Sequence, residues 1–296
     1  MADGDELLYE YNGRFGGTRF ALIPKIVGMS YNSTRDELFL VDDRKKVVRA
    51  MRVRDNAGDL RDVYRAPDDK SPRVFSVCHM SDSDTLLMCS DKEGPDEKYG
   101  LVALSRNGSE WREAQRVQTD GWRNISCALS DSRVLIGQEI STKMELFHVE
   151  SGPRIARVHR IHVPEEYYWF SATCGSDTLV AMCYPTISEK KKMHNMDNSV
   201  RVHRLRGDRL EELARIQLKQ PHDLLLLADR LFVADFDEKK NSHAVIELEV
   251  RDTRLERRRK LIATSEKIIV SRWCKINDGL AIIEENSKDI LHYSLI

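Results

Sequence analysis

The 296 residues include 47 basic and 48 acidic side chains, which leaves a net charge of −1. Hydrophobic residues make up 41% and charged residues 32% of the chain, a composition typical of a globular protein with a large core. The charge balance disfavours a globally basic nucleic-acid-binding protein, and no apolar run approaches the roughly 20 residues that a membrane-spanning helix needs.

The N-terminal segment 1–6 lacks both a basic start and an apolar run, so the sequence predicts no secretory signal peptide. The six cysteines lie in or beside apolar runs and include no Cys-x-x-Cys pair, which is typical of small buried side chains in a reducing compartment. We therefore predict a cytoplasmic protein with reduced cysteines. They are Cys78, Cys89, Cys127, Cys174, Cys183 and Cys274.

A short apolar run recurs six times along the chain, each time directly after an Asp or Ser turn. The first core residues of successive runs are separated by 48, 48, 45, 52 and 49 residues. A period of about 48 residues is typical of the blades of a β-propeller. These first core residues are Leu38, Leu86, Val134, Leu179, Leu231 and Leu280.

Each repeat holds further strand-like segments around this apolar run, which we number as its second strand. The second strands are apolar throughout, as expected when both faces are buried between neighbouring sheets. The third strands alternate, with Ile246 on one side of segment 244–250 and Glu247 on the other, as expected near the watery outer edge of a blade. Two fourth strands, 208–218 and 254–262, also suit a helix, but their position in the repeat favours strands.

The last repeat, from about 268 to 296, has only three strands. The N-terminal segment 6–12 alternates Leu7, Tyr9 and Tyr11 with more polar residues and can supply the fourth strand. We therefore predict an all-β fold, a single six-bladed β-propeller domain over 1–296 with four-stranded antiparallel blades, its ring closed by the N-terminal strand joining the last blade. The predicted blades cover approximately 25–67, 73–120, 122–164, 165–220, 221–267 and 268–296 with 6–12.

This pattern resembles the six-bladed β-propeller superfamily in general, including NHL-like, TolB-like and lactonase-type propellers. The resemblance covers the whole chain but rests on repeat period and strand pattern. The WD-repeat dipeptide and the YWTD run are absent from the sequence, and no kelch-type double glycine recurs with the repeat. The resemblance therefore implies a fold and carries over no functional residue.

In a propeller, the connections from a fourth strand to the next first strand share one face with the turns between second and third strands. We call this the loop face, and by analogy we expect it to bind partners. Aromatic and basic residues, which dominate binding hot spots, are frequent there. An alternative for Trp169 and Trp273 is that they pack the core. The predicted partner-binding residues are Arg73, Trp122, Arg123, Tyr167, Tyr168, Trp169, Tyr184, His222, Phe236 and Trp273.

Acidic residues follow the second strands and could converge at the mouth of the central channel. Carboxylates there would suit a hard cation in a metal-dependent hydrolase of the propeller-lactonase type. Turn chemistry is the favoured interpretation, because the chain lacks the alternating acids and glycine of a Ca²⁺ loop. We therefore predict no metal site and no cofactor. The residues are Asp42, Asp43, Asp91, Glu139, Asp235, Asp237, Glu284 and Glu285.

Arginines cluster on neighbouring predicted outer strands and would suit the phosphates of RNA or an acidic protein. The alternative is that these charges prevent edge-to-edge aggregation of the sheets. The arginines are Arg154, Arg157, Arg160, Arg201, Arg204, Arg206, Arg209, Arg254, Arg257, Arg258 and Arg259.

The sequence contains no Gly-x-Ser-x-Gly elbow, phosphate loop or dinucleotide fingerprint. Pro221, His222 and Asp223 form the most catalysis-like cluster, for which a buried, hydrogen-bonded histidine is the favoured explanation. We therefore predict a protein–protein interaction scaffold that binds a protein or peptide through its loop face. The alternatives are a metal-dependent hydrolase of the propeller-lactonase type and an RNA-binding propeller.

Overall fold

The computed structural model describes about 70% of the chain, mostly its strands and the short turns between them. The described residues are 9–15, 26–42, 45–53, 60–66, 73–93, 98–119, 124–130, 132–138, 143–150, 154–163, 171–176, 179–184, 197–227, 229–237, 239–240, 242–251, 254–263, 270–276, 279–284 and 290–295.

The described residues form strands β1 to β24, arranged in four-stranded antiparallel units that we call sheets one to six in chain order. Sheet one contains β2 (Ile26–Asn32), β3 (Glu37–Asp42), β4 (Val47–Arg52) and β5 (Arg61–Arg65). Sheet two contains β6 (Val74–Met80), β7 (Thr85–Glu93), β8 (Lys98–Asn107) and β9 (Glu110–Thr119). Sheet three contains β10 (Asn124–Ser130), β11 (Arg133–Gln138), β12 (Lys143–Glu150) and β13 (Arg154–His162).

The second half of the chain repeats this order. Sheet four contains β14 (Ser171–Ser176), β15 (Leu179–Tyr184), β16 (Ser199–Arg206) and β17 (Arg209–Gln217). Sheet five contains β18 (Pro221–Leu227), β19 (Arg230–Asp237), β20 (Ser242–Arg251) and β21 (Arg254–Ala263). Sheet six contains β22 (Val270–Ile276), β23 (Gly279–Glu284), β24 (Ile290–Leu295) and β1 (Tyr9–Phe15). A single parallel pairing, between His162 and Arg209, links sheets three and four.

The prediction of an all-β fold with four-stranded antiparallel sheets is confirmed. The two segments that also suited a helix are the outer strands β17 and β21. No helix among the residues described is long and apolar enough to cross a membrane.

The N-terminal strand β1 pairs antiparallel with the C-terminal strand β24, from Tyr9 opposite Leu295 to Phe15 opposite Ile290. This strand covers Tyr9–Phe15 and so extends beyond the predicted segment 6–12. The first strands pack against one another in chain order from β2 to β22, and β2 also packs against β22. The two ends of the chain therefore meet in sheet six.

The second strand of each sheet lies between two neighbouring sheets. In β3, Leu38 and Leu40 pack in one core cluster with Ile276 of sheet six, whereas Phe39 and Val41 pack in another with sheet two. Every residue of β3 is buried. Burying one large apolar side chain contributes roughly 1.5–3 kcal/mol, so a second strand stabilises the fold through both faces.

The turns that precede β3 and β7 have the same backbone geometry. Asp36 and Asp84 end these turns with φ of 55° and 44°, in the left-handed region that aspartate tolerates better than most residues. The positive φ at these two positions explains why an aspartate precedes these apolar runs in the sequence.

The third strands depart from the predicted half-polar pattern. Glu247 of β20 is only 3% exposed, and its carboxylate accepts a bond from Arg230 Nε at 2.6 Å. Arg49 of β4, Glu145 of β12 and Arg201 of β16 are buried in the same way, each with a charged partner. These four charged residues of the third strands are therefore buried and paired with an oppositely charged residue of their own sheet.

The cysteines are not all alike. Cys78, Cys89, Cys183 and Cys274 are buried and are not disulfide-bonded, and burial raises the pKa of Cys78 and of Cys274 to about 12. Cys174 is disulfide-bonded, so the prediction that all six cysteines are reduced is wrong for this residue. Because disulfides are typical of oxidising compartments, the cytoplasmic location stays a prediction.

Candidate functional site

A cleft of about 390 Å³ opens between sheets four and five. It lies beside the β17–β18 connection and the β19–β20 turn, the two kinds of connection that define the loop face. Its apolar lining comes from Leu218, Ala244 and Ile246. This volume is in the range of roughly 300–1,000 Å³ that ligand-binding pockets occupy. We call it the 4–5 cleft.

Asp235, at the end of β19, fixes one wall of the 4–5 cleft. Its Oδ1 accepts hydrogen bonds from the backbone N–H groups of Lys219, at 3.1 Å, and Gln220, at 2.7 Å. Burial raises the pKa of this carboxyl group, while those two N–H donors act in the opposite direction. The Phe236 N–H donates in return to the Gln220 carbonyl at 3.2 Å. The β17–β18 connection is therefore held against β19.

Asp237 fixes the turn on the other side of the cleft. The Lys240 N–H donates to both the backbone carbonyl and the Oδ1 of Asp237, at 3.2 and 3.3 Å. An aspartate that caps its own turn in this way restricts the backbone of the residues that follow. The Lys240 side chain, which is exposed, therefore stands at a defined place on the rim.

Three cations surround the 4–5 cleft: Lys219, Lys240 and Arg257. All three are exposed, and no carboxylate of the described residues forms a salt bridge with them. The two acids of the cleft are occupied by backbone N–H donors. The cleft thus combines an apolar floor with three exposed cations and two carboxylates that the backbone holds.

A second cluster lies on the opposite face of sheet five, at the same end. His243 is opposite Phe236 in the β19–β20 pairing, with ring centroids 4.6 Å apart, and the His222 ring meets His243 edge-on at 5.6 Å. Within the described part of the chain, the buried atoms His222 Nε2 and His243 Nδ1 have no hydrogen-bond partner. Burial lowers the pKa of His243, and the neighbouring His222 acts in the same direction.

The ten predicted partner-binding residues are distributed unevenly. His222 and Phe236 are brought together around His243, and Arg73 is exposed just before β6. Tyr184 and Trp273 are buried within the sheets, at 1% and 7% exposure. The other five lie outside the described residues: Trp122, Arg123, Tyr167, Tyr168 and Trp169.

The sequence did not single out Lys219, Lys240 or His243 as binding residues. Each flanks a connection on the loop face, and that position was the available signal. Arg257 was noted only as part of a basic outer strand, and Asp235 only as an acid after a second strand. The predicted binding residues were mainly aromatic, whereas the cations of the cleft are two lysines and an arginine.

The described acidic residues that follow the second strands accept backbone hydrogen bonds. Asp42 Oδ1 accepts from the Lys45 N–H at 3.2 Å, as Asp235 and Asp237 do from their own connections. Within the part of the chain that the structure describes, no three His, Cys, Asp or Glu side chains are grouped to hold a metal ion. Outside that description lie Asp43, Glu139 and Glu285, with the side chains of Asp91 and Glu284.

Many arginines of the predicted basic stripe are paired with carboxylates. Arg157 Nε lies 2.9 Å from Glu145, and Arg206 Nε lies 2.8 Å from Glu211. Both Arg251 and Arg258 pair with Glu249. Much of the positive charge on these outer strands is therefore neutralised within the chain. The side chain of Arg259 lies outside the described residues.

No protein-family model matches the chain, and no curated protein matches it. Solved structures do resemble it. The PQQ-bound aldose sugar dehydrogenase from Streptomyces coelicolor has a TM-score of 0.60 and 8% identity over 97% of both chains. A putative 6-phosphogluconolactonase from Bacteroides uniformis has a TM-score of 0.61 and 10% identity, covering 90% of this chain and 80% of the other.

A third similar structure is the β-propeller domain of Cps50 (Swd1) from Myceliophteria thermophila. Its TM-score is 0.56 and its identity 10%, over 92% of this chain and 83% of that domain. Identities this low establish the fold and leave function open. The fold of this chain is therefore that of a β-propeller, and no family assignment follows from these comparisons.

Proposed function

We propose that the chain forms a six-bladed propeller whose N-terminal strand completes the last blade. The contacts between successive first strands, which return from β22 to β2, support this arrangement, as does the pairing of β1 with β24. Joining the two ends of the chain in one sheet removes a free edge that could otherwise pair with other chains.

We further propose that this propeller is an interaction module that binds a protein or peptide through its loop face. The observation that carries the proposal is the 4–5 cleft, with an apolar floor and three exposed cations on its rim. Protein interfaces commonly combine an apolar centre with a polar, charged rim.

The two alternative functions have less support. The described acids expected to bind a metal hold backbone turns instead, which weakens the case for a metal-dependent hydrolase. The paired arginines of the outer strands weaken the case for RNA binding. The dehydrogenase and lactonase among the similar structures share only the fold with this chain.

The proposal is tested by filling the cleft. Ala244→Phe inserts a large ring at the floor, and Ala156→Phe on the exposed face of β13 is the matched control. Proteins captured from source cells by each immobilised variant are quantified by mass spectrometry. We expect specific partners to be lost with Ala244→Phe and retained with Ala156→Phe. Equal recovery with a folded Ala244→Phe protein would remove this cleft as the binding site.

A further inference from the structure

We infer that the 4–5 cleft recognises a peptide segment in which an apolar side chain is flanked by aspartate or glutamate. This inference rests on the proposed binding function and specifies the chemistry of the partner. It depends on the charge of the rim, the nature of the floor and the contrast with the rest of the surface.

The lining of the cleft contains more cations than carboxylates, and both carboxylates accept hydrogen bonds from the backbone. Asp235 accepts two backbone N–H bonds and Asp237 accepts one, so both carboxylates are held by the backbone while each keeps its negative charge, and Arg257 interacts electrostatically with Asp235. Among the described residues, Lys219, Lys240 and Arg257 have no carboxylate within salt-bridge distance. A ligand entering the cleft therefore meets three cations and two backbone-bonded carboxylates, which leaves an excess of one positive charge.

Several arginines of the outer strand β9 and of β17 differ from this group. Arg112 lies 2.8 Å from Glu110, Arg116 lies 2.7 Å from Glu113, and Arg215 lies 2.8 Å from Glu212. These pairs follow from carboxylates placed on the same strand, three residues away or fewer. The cleft cations, in contrast, come from separate segments of the chain, which assemble positive charge around a cavity.

The apolar floor of the cleft favours a peptide with an apolar side chain at its centre. Leu218, Ala244 and Ile246 present aliphatic surface and no charged group. An aliphatic side chain of the peptide would bury its surface there, at roughly 25 cal/mol per Å². Acidic residues on either side of it would then reach the cationic rim, where Arg257 can hold a carboxylate with two parallel N–H bonds.

The inference is tested by selecting displayed random peptides of about twelve residues on the immobilised full chain. Three proteins are used in parallel: wild type, the cleft variant Lys240→Glu/Arg257→Glu, and the control Lys275→Glu/Arg254→Glu. The control makes the same change of charge at exposed residues, and Arg254 lies on β21 with its side chain alternating away from that of Leu255. Melting temperatures establish that each protein is folded, and Lys240→Gln/Arg257→Gln serves as a milder second cleft variant.

We expect wild type and control to enrich peptides with an aliphatic residue between acidic ones, and the cleft variants to lose them. A selected peptide is then synthesised, with a Gln/Asn version, and its Kd measured by fluorescence anisotropy at about 50 and about 300 mM NaCl. Binding should weaken with salt and be roughly tenfold weaker for the cleft variant and for the Gln/Asn peptide, but unchanged for the control.

Two results would contradict the inference in distinguishable ways. Enrichment of uncharged or basic peptides that Ala244→Phe abolishes would overturn the acidic partner and leave the proposed binding function in place. Acidic peptides that bind the cleft variants as tightly as wild type, or no enrichment on any protein, would overturn both. Displacement of the peptide by an RNA oligonucleotide with higher affinity would overturn the assignment to a protein segment.

Discussion

A positively charged side chain is buried on the side of sheet four that faces sheet three, whereas cations are exposed on the side that faces sheet five. Towards sheet three, Arg201 is 1% exposed and donates to Ser199 Oγ at 2.9 Å, Asp197 Oδ2 at 2.8 Å and Glu212 Oε2 at 3.3 Å. Its guanidinium also lies 4.6 Å from the centre of the Tyr184 ring. Towards sheet five, the cations of the 4–5 cleft are exposed and have no such set of described partners.

The difference separates charge that serves the fold from charge that is available to another molecule. A buried guanidinium is stable only when its donors are satisfied, so Arg201 must find its partners within the chain. An exposed cation is solvated by water and needs no partner to be tolerated. The following predictions test this contrast, beginning with the largest expected effect.

Replacing Arg201 by methionine should destabilise the protein by about 3 kcal/mol, since it leaves Asp197 and Glu212 without their shared partner. Urea unfolding followed by circular dichroism measures the change. Arg215→Met is the matched control, because Arg215 pairs with the same Glu212 at 2.8 Å but is 52% exposed. It should change stability by less than about 0.5 kcal/mol. Similar effects from the two variants would contradict the contrast.

Acid should weaken the same buried region through His203. Burial lowers the pKa of His203 to about 4, with Arg201 adding to the decrease and Glu212 opposing it. In the unfolded chain His203 binds a proton near pH 6.5, whereas in the folded protein it stays neutral down to about pH 4. The free energy of unfolding therefore falls as the pH falls below about 6.5. The loss between about pH 7 and pH 5 should be about 2 kcal/mol.

The variant His203→Gln isolates this contribution, because glutamine keeps a polar group near the Tyr184 hydroxyl, 3.3 Å from His203 Nε2, without titrating. Its unfolding free energy should depend less steeply on pH in this range. Some dependence should persist, since burial also lowers the pKa of His79 and His243. An unchanged slope would show that His203 is not the group responsible.

Asp235 lines the cleft and also holds the β17–β18 connection in place. Asp235→Ala should lower the free energy of unfolding by about 1–2 kcal/mol, because it leaves the Lys219 and Gln220 N–H groups without their acceptor. Asp237→Ala, which removes one acceptor from an exposed turn, should cost less. Thermal unfolding distinguishes the two. If both variants were neutral, the β17–β18 connection would not depend on the Asp235 carboxylate.

The smallest effect on stability is expected for the cleft cations themselves. Lys240→Gln/Arg257→Gln should alter the unfolding free energy by less than about 0.5 kcal/mol, because no described salt bridge is broken and no additional carboxylate is placed beside Asp235 and Asp237. The same variant should weaken the acidic-peptide binding inferred above. A large loss of stability would mean that these side chains serve the fold, as Arg201 does.

Much of the fold follows from local features of the sequence. The apolar runs that begin at Leu38 or Leu231 are fully buried second strands because every side chain of such a strand meets a neighbouring sheet. Position in the repeat also decided that Arg209–Gln217 and Arg254–Ala263 are strands. Glu247 was assigned to the polar side of its strand, and local alternation could not indicate that its carboxylate would be buried and paired with the partly exposed Arg230.

The sequence by itself determined the repeated order of strands, because the alternation and burial of apolar side chains are encoded within each run. Tertiary structure alone decided which charges are neutralised and which are available. Lys219, Lys240 and Arg257 are distant in the chain, and they surround one cavity only because sheets four and five pack side by side. Electrostatic interactions depend on distances in space, which residue spacing along the chain does not give.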